Sequence, residues 1–276
     1  MFRQLFCRLF PSLRKFSSIE NGKIAANGVD IFYERAGTAK SGLLCIPGAL
    51  GTTQTDFGPQ LKSAILTASH SVIAIDPRGY GHSRPPNRTF TADFLHQDAR
   101  DGFAVMRALG FEQFSLMGWS DGGNSAVILA ASEPVAIRKM VIWGGNSFIT
   151  DEDMQLYERT KNVDSWSKRH REAMESVYGS GGLREMWSNW SNTIKDIYAQ
   201  GGDLYKQEVG RVRCPTFLLH GAKDPLVPRL HVDYLKEAFK CPLQYHEFPD
   251  GKHNIHLRYA DEFNRMVFEF LASAEH

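Results

Sequence analysis

The sequence lacks several features that would assign the chain to a large class of proteins. No apolar run approaches the roughly 18 residues that a membrane-spanning helix needs, so we expect no stable membrane insertion. The basic excess that is typical of nucleic-acid-binding proteins is missing, because 32 Lys and Arg balance 31 Asp and Glu to a net charge of +1. We therefore expect no nucleic acid as partner.

Cysteine is scarce, and recognisable metal-binding motifs are missing. The four cysteines form no CxxC pair and no cluster with histidine; they are Cys7, Cys45, Cys214 and Cys241. We interpret them as reduced thiols and not as a disulfide framework. The sequence contains no HExxH motif and no Asp-rich calcium loop. We therefore expect no metal site and no cofactor.

The N-terminal segment differs in composition from the rest of the chain. Residues 1–19 contain three arginines and a lysine but no acid, and apolar residues recur there at helical spacing. This amphipathic, Arg-rich and Ser-containing composition is typical of a mitochondrial transit peptide. The arginines interrupt the apolar stretch of about 7–15 residues that a secretory signal would need. We predict a mitochondrial location, with the cytosol as second choice, and exclude this segment from the fold.

Most of the remaining chain alternates short apolar segments with helical patterns. Apolar runs that end in Gly- or Pro-rich loops begin at Gly42 and Ser71, and a helical pattern runs from Thr91 to Gly110. This alternation predicts a mostly parallel sheet with helices on both faces. The segment that begins at Gly28 alternates apolar and polar residues, which predicts an edge-type strand.

The alternation stops after a strand predicted near residue 143. Residues 147–210 contain no convincing strand and read as amphipathic helices rich in Trp and Tyr. We interpret them as a helical cap inserted between two parts of an α/β core, residues 20–146 and 211–276. The alternative is a helical subdomain that only packs. The cap is favoured because it separates the candidate nucleophile from the other candidate catalytic residues.

The stretch "GWSDG", Gly118–Gly122, has the GxSxG pattern of a nucleophile elbow. It follows the apolar segment "FSLM" and precedes a predicted helix, which is the strand–turn–helix context that the motif requires. Glycines are needed because helix and strand approach so closely that a Cβ atom would not fit. The pattern predicts Ser120 as a nucleophile.

A serine nucleophile needs a base and a carboxylate that orients the base. Asp224 and His253 each follow a predicted strand, on loops at the end of the sheet where α/β proteins bind ligands. His256, at the start of the last helix, and His246, inside a strand, are rival bases. Asp250 is a rival acid, although it shares a turn with His253. We predict Asp224 and His253 as the partners of the serine.

The oxyanion of such a reaction needs two backbone N–H donors. The residue after the nucleophile, Asp121, supplies one. We expect Ala49 to supply the other from the loop after the Gly42 strand, with Leu50 as second choice; alternatively, this loop is only a tight turn. The stretch "DPRGYGHS", Asp76–Ser83, contains an acid, an arginine and a histidine, but we interpret it as structural and His82 as non-catalytic.

Several stretches resemble one known family. "DPRGYGHSRPP", "GWSDGG", "HGAKDPLVPR" and "GKHNIHLRYADEFN" are similar to the valacyclovir hydrolase, or biphenyl hydrolase-like, family of the α/β-hydrolase superfamily. The resemblance extends from about Lys23 to the C-terminus. It implies the α/β-hydrolase fold with a cap, a mitochondrial location and a serine hydrolase that cleaves α-amino acid esters.

The resemblance also implies roles for single residues. The catalytic triad of the family matches Ser120, Asp224 and His253, and the acid that binds the substrate ammonium matches Asp121. Near Ala49 the family is expected to carry a longer side chain, so the floor of the pocket should differ.

We therefore predict a monomeric serine hydrolase that cleaves α-amino acid esters, or aminoacyl thiolactones, through an acyl-enzyme. A C–C bond hydrolase of the meta-cleavage type has the same fold and triad, but Asp121 would repel its anionic substrates. A general carboxylesterase is a further alternative. A hydrolase fold that only binds a ligand is disfavoured by the complete set of triad candidates.

Overall fold

The sheet and helices of the chain follow the predicted alternation. A computed structural model describes residues 18–274. Residues 1–17, which hold nearly all of the predicted transit peptide, and residues 275–276 lie outside them. The strands are β1 Glu20–Ala26, β2 Val29–Ala36, β3 Gly42–Ile46, β4 Ser71–Ile75, β5 Phe114–Trp119, β6 Ile137–Trp143, β7 Thr216–Gly221 and β8 Leu243–Phe248.

Helices cover the sheet and fill the connections between its strands. Their bounds are α1 Thr53–Asp56, α2 Gly58–Leu61, α3 Ala64–Ser69, α4 Phe94–Ala108, α5 Asp121–Ser132, α6 Asp151–Thr160, α7 Lys168–Ala199, α8 Arg229–Ala238, α9 Ile255–Arg258 and α10 Ala260–Ala272. Two short 3₁₀ helices, Val163–Ser165 and Val209–Arg211, complete the secondary structure of the described residues.

The eight strands form one sheet in the order β1-β2-β4-β3-β5-β6-β7-β8. Strand β2 pairs antiparallel with β1 and β4, and every other neighbouring pair is parallel. Strands β3, β4, β5 and β7 are buried along their whole length, which explains their continuous apolar sequences. The predicted α/β-hydrolase class, a mostly parallel sheet flanked by helices, is confirmed.

One strand prediction was wrong. The alternating segment from Gly28 was expected at an edge, but β2 lies inside the sheet between β1 and β4. Its Ile31 side chain is fully buried, and β1 forms the edge instead. Alternation reports only that one face of a strand is more buried than the other, and it carries no information about which strands pair on either side.

Two helix boundaries also differ from the sequence-based expectation. The helix expected from Thr91 to Gly110 begins at Phe94, with Asp93 and not Thr91 at the N-cap position, and the Thr91 hydroxyl donates to Asp93 at 2.8 Å. The last helix, expected as one piece, divides at Tyr259 into α9 and α10.

The connection between β6 and β7 contains the inserted helices α6 and α7. Helix α6 begins with a capping box in which Thr150 and Asp153 exchange hydrogen bonds. Asp153 also accepts from Nε2 of His231 in α8, at 2.8 Å, with both side chains fully buried. Helix α7 is kinked at Gly179, where φ is 70° and ψ is 161°. The start of the insertion is thus fixed to the core by a buried polar contact.

Some general properties can be stated for the described part of the chain. Within residues 18–274 no helix is both long enough and apolar enough to cross a membrane. The three cysteines in this range have free thiols. The same residues contain no group of three or more His, Cys, Asp or Glu side chains arranged to hold a metal ion.

A buried ion pair fixes the long loop after β4 to helix α4. Both guanidinium NH₂ groups of Arg88 donate to the carboxylate of Asp98, at 2.6 and 2.7 Å. The guanidinium also lies over the rings of Tyr80, Phe90 and Phe94. A buried charge without its partner is costly, so the two residues depend on each other.

We expect Asp98→Ala to lower the free energy of unfolding by about 3–5 kcal/mol, because it leaves the Arg88 charge buried and unpaired. Chemical denaturation monitored by Trp fluorescence measures this change. Glu269→Gln, which removes an exposed ion pair with Arg265, is the control and should change little. A double variant, Arg88→Met with Asp98→Leu, should be more stable than Asp98→Ala; a less stable double variant would contradict the argument.

Candidate active site

The turn between β5 and α5 places Ser120 in a strained conformation. Its φ of 56° and ψ of −124° lie where residues with a Cβ atom are rarely found. The flanking glycines allow the close approach that this turn needs. A Cβ atom on Gly118 would lie 2.3 Å from the Gly122 carbonyl oxygen, and one on Gly122 would lie 2.0 Å from that of Ile46. The structure thus places Ser120 in the geometry of a nucleophile elbow.

Asp224 and His253 are joined by a hydrogen bond of 2.8 Å between Oδ2 and Nδ1. The other carboxylate oxygen accepts from the N–H groups of Leu226 and Val227, at 2.9 and 3.1 Å. Burial acts to raise the pKa of Asp224, but the His253 charge, its hydrogen bond and these N–H donors hold the pKa below its ordinary value. An ionised carboxylate only accepts hydrogen bonds, so Nδ1 carries a proton and Nε2 is the basic nitrogen.

Two further features surround His253. The Trp119 indole N–H donates to the His253 carbonyl oxygen at 2.9 Å. At the end of β6, Gly144 has a φ of 63°, and a Cβ atom there would lie 2.8 Å from Cε1 of His253. A glycine at this position therefore makes room for the ring.

The rival base His256 has a different environment. It is fully buried; the Trp143 indole donates to Nδ1 at 3.1 Å, and Nε2 donates to the Asp56 carbonyl oxygen at 3.0 Å. Burial lowers the pKa of His256 to about 3. This neutral ring uses both nitrogens in structural contacts, so neither is available to take a proton from a serine.

The other rivals make contacts outside the Asp224–His253 pair. His246 packs against Phe248 on β8 with ring centroids 4.9 Å apart. Asp250 is exposed and pairs with Lys223. The His253 ring hydrogen-bonds to Asp224, so the structure brings together the pair that the loops predict.

The stretch Asp76–Ser83 shapes loops beside the site. The buried Asp76 carboxylate accepts from the N–H groups of Thr53 and His82, each at 2.8 Å. Arg78 pairs with Asp101 at 2.6 Å, and the His82 side chain is 68% exposed. These contacts agree with the structural interpretation of this stretch.

The loop Gly48–Gly51 packs directly against the serine. A Cβ atom on Gly48 would lie 3.2 Å from that of Ser120. The Gly48 N–H donates to Oδ2 of the buried Asp56 at 3.0 Å. Chiefly through burial, the pKa of Asp56 rises to about 7. Since His256 holds the carbonyl group of Asp56, that histidine supports this loop and not the serine.

The two candidate oxyanion donors of this loop, Ala49 and Leu50, both line the cavity that contains Ser120. The choice of Ala49 as the donor therefore stays a prediction.

A cavity of about 330 Å³ contains the candidate residues. Ser120, Asp121, His253 and the loop around Ala49 line one side. The inserted helices and the segment between them line the other side with a mostly aromatic set of residues: Tyr157, Thr160, Trp166, Ser167, His170, Met174, Trp187 and Trp190. The core thus supplies the candidate catalytic residues and the insertion supplies a mostly aromatic wall.

The Asp121 carboxylate is held by the insertion. The Trp190 indole N–H donates to Oδ2 of Asp121 at 2.8 Å. Trp190 itself stacks on Trp187, with centroids 4.6 Å apart, and packs edge-on against Tyr157. Chiefly through burial, the pKa of Asp121 rises to about 6. The site therefore keeps a partly desolvated carboxylate beside the serine, where a cation would relieve the cost of its charge.

Asp56 and Trp190 support this site but were not predicted from the sequence. Asp56 holds the loop at Gly48 from eight positions away, and Trp190 holds Asp121 from 69 positions away. Neither belongs to a motif with fixed spacing. The richness of residues 147–210 in Trp indicated an aromatic surface but not which indole contacts the acid.

Residues 43–266 match the Alpha/beta hydrolase family, and the chain belongs to this family. The human protein named Serine hydrolase BPHL is 44% identical over 265 residues, which cover 96% of this chain and 90% of the human protein. This similarity confirms the resemblance seen in the sequence motifs.

More distant relatives have other names. A 2-hydroxy-6-oxononadienedioate/2-hydroxy-6-oxononatrienedioate hydrolase from Pseudomonas sp is 26% identical, over 94% of this chain and 96% of that protein. The solved structure of 2-hydroxy-6-oxo-6-phenylhexa-2,4-dienoate hydrolase from Rhodococcus sp. strain RHA1 superposes with a TM-score of 0.77 at 16% identity, covering 93% of this chain and 100% of that one. The latter likeness concerns the fold alone.

The two histidines should respond differently to substitution. His253→Ala should lower kcat for an activated ester by at least about 10⁴-fold, because base and nucleophile act as a unit. His256→Asn should mainly lower the melting temperature, with a far smaller loss of kcat through the loosened loop. Steady-state kinetics and thermal unfolding of both variants test this. Near-normal turnover by His253→Ala, together with an inactive His256→Asn, would reverse the assignment of the base.

Proposed function

We propose that the protein is a serine hydrolase that cleaves α-amino acid esters through an acyl-enzyme. The observation that carries this proposal is the Asp121 carboxylate, which directly follows the candidate nucleophile, lines the same cavity and is held there by Trp190. The serine hydrolase class itself is supported by family membership and by the similarity to human Serine hydrolase BPHL.

In this proposal Ser120 attacks the ester carbonyl while Nε2 of His253 takes its proton. Asp224 keeps the proton on Nδ1 and stabilises the imidazolium that forms. The N–H groups of Ala49 and Asp121 donate to the oxygen that becomes negative. The imidazolium then protonates the leaving alcohol, and water attacks the acyl-enzyme by the same route to release the amino acid and Ser120.

Asp121 would oppose this chemistry if the substrate carried no positive charge. Its main chain donates to the oxyanion, while its carboxylate places a like charge near that oxyanion. An α-ammonium group is one carbon from the reacting carbonyl, so it can pair with the carboxylate and remove the repulsion. Two unit charges about 4 Å apart interact by roughly 1 kcal/mol in water and roughly 4 kcal/mol near a protein surface. At about 1.36 kcal/mol per decade, this favours amino esters about fivefold to several hundredfold.

We further propose that residues 147–210 act as a cap over this site. Trp166, Trp187 and Trp190 line the cavity opposite the serine, and their contacts with one another are extensive. Such a wall suits an apolar group of the ester and excludes water from the reacting atoms. The cap also supplies the indole that orients Asp121.

A matched substrate pair tests the ammonium-binding role. Asp121→Asn should lower kcat/KM for benzyl valinate by about fivefold to several hundredfold, because the charge partner of the ammonium is lost. For benzyl isovalerate, which lacks only the amino group, kcat/KM should stay level or rise. The backbone N–H remains in the variant, so the oxyanion donor is unchanged.

The same experiment separates the alternatives. Asn caps a helix as well as Asp does. If the carboxylate served only to cap the start of α5, Asp121→Asn would therefore leave kcat/KM unchanged for both substrates. An equal loss on both substrates would show that the carboxylate does not determine specificity. Wild-type protein that prefers benzyl isovalerate would indicate a general carboxylesterase. Turnover of a meta-cleavage dienoate, without ester turnover, would indicate the C–C bond hydrolase.

The raised pKa of Asp121 predicts a pH-dependent substrate preference. A carboxyl group with a pKa of about 6 is protonated below that pH and then cannot pair with an ammonium group. The ratio of kcat/KM for benzyl valinate to that for benzyl isovalerate should therefore rise several-fold between about pH 5 and pH 7, while the α-amino group, with a reference pKa of roughly 7.7–8.0, stays mostly protonated. Ionisations common to both reactions cancel in this ratio. In Asp121→Asn the ratio should be flat; a rise that persists in this variant would assign the titration to another group.

A further inference from the structure

The side chain of Tyr178, in the inserted helix α7, reaches the loop Gly48–Gly51. Its hydroxyl donates to the Leu50 carbonyl oxygen at 2.7 Å and accepts from the Gly81 N–H at 3.3 Å. The Tyr178 side chain is buried, and Leu50 lies 128 positions away in the sequence. None of the steps proposed above uses this contact between the insertion and the loop.

The contact lies at the end of a short series of peptide groups. The Leu50 carbonyl that accepts from Tyr178 belongs to the same planar peptide unit as the Gly51 N–H. This N–H donates to the Gly48 carbonyl oxygen at 2.9 Å. The Gly48 carbonyl in turn shares its peptide unit with the Ala49 N–H. Each hydrogen bond orients and polarises the next peptide unit, so the tyrosine hydroxyl acts on the direction and strength of the Ala49 donor.

The loop needs such support because its backbone is strained. Leu50 has a φ of 59°, in the left-handed region that residues with a Cβ atom rarely adopt. The Asp56 carboxylate fixes the first peptide of the loop at Gly48. Tyr178 fixes the last peptide, after the strained residue.

Tyr178 is itself held from two directions. Helix α7 is kinked at the next residue, Gly179, whose φ of 70° suits a glycine. The Arg84 guanidinium lies 4.9 Å from the centre of the Tyr178 ring, and it donates to the carbonyl oxygens of Val177 and Gly81 at 2.8 and 2.9 Å. Arg84, which directly follows the stretch Asp76–Ser83, thereby helps to seat the tyrosine, and Gly81 of that stretch contacts both side chains.

We propose that Tyr178 is a positioning residue that couples the inserted helices to the oxyanion donor of Ala49. This role rests on the proposed serine hydrolase mechanism. The tyrosine does not touch the reacting atoms in this proposal. It sets the orientation of the loop, so its loss should affect the transition state and the tetrahedral adduct more than substrate binding.

Tyr178→Phe removes the hydroxyl and keeps the ring. With a p-nitrophenyl ester, kcat should fall about three- to tenfold, the effect of one net hydrogen bond, while KM changes by less than about twofold. The inhibition constant of a boronic acid, whose adduct with Ser120 carries a negative tetrahedral centre, should rise by the same factor as kcat falls. Tyr198→Phe is the matched control, because Tyr198 lies in the same helix and the variant loses an exposed hydrogen bond to Asp151. In this variant kcat and the inhibition constant of the boronic acid should stay unchanged.

Different outcomes contradict different parts of the argument. Unchanged kcat and boronate inhibition in Tyr178→Phe would overturn the role of the tyrosine alone. So would a loss that appears equally in Tyr198→Phe, because it would report a general loosening of α7. If Tyr178→Phe does not fold, Arg84→Met is the second variant, because it removes the guanidinium that supports the tyrosine. This variant should also lower kcat while KM changes little. Wild-type values of kcat and KM in Arg84→Met would count against the proposal. Wild-type protein without ester turnover and without boronate binding would overturn the serine hydrolase mechanism, and the role of Tyr178 with it.

Discussion

The approach of three backbone segments around Ser120 is the constraint on which the rest of the site depends. Strand β5, helix α5 and the loop after β3 meet so closely that glycine is needed at Gly118 and Gly122. This contact holds Ser120 at a positive φ and brings Gly48 against its Cβ atom. Because the contact is made by main-chain atoms, the position of Ser120 is fixed by the fold itself, while the loop after β3 has further support from the side chains of Asp56 and Tyr178.

The inserted helices contribute orientation where the core contributes reactive groups. Trp190 donates to the Asp121 carboxylate, and Tyr178 donates to the Leu50 carbonyl group. Both donors come from α7, on opposite sides of its kink at Gly179. One helix therefore contacts both the charged group that faces the cavity and the loop beside the serine. Any shift of this helix relative to the core would alter the two features together.

The sequence was most informative where chemistry requires residues at short, fixed spacing. The GxSxG turn located Ser120 because its context is local, and Asp224 and His253 were located because parallel strands end at the same edge of the sheet. The hydrogen bond between Asp224 and His253 agrees with that inference, although their catalytic roles stay predictions. The mostly parallel sheet followed from continuous apolar segments.

Contacts between distant positions were not predictable from the pattern. The supports at Trp190, Tyr178 and Asp56 depend on how the insertion and a short helix dock, and no spacing in the sequence encodes that docking. The misplaced edge strand has a similar cause, since alternation describes the faces of a strand and not its neighbours. His256 resembles a catalytic base in sequence, and only its burial beneath Trp119 and Trp143 shows otherwise.

In the proposed mechanism the main chain and the side chain of residue 121 have separate tasks. Every amino acid except proline keeps the N–H group, so a single codon change at this position alters the charge that faces the cavity without removing a donor from the turn. A mutation thus leaves the backbone N–H in place, while the side chain that would select the substrate is free to vary. A protein built in this way can acquire a new acyl preference in one step, and position 121 is the first place to randomise when a different substrate charge is wanted.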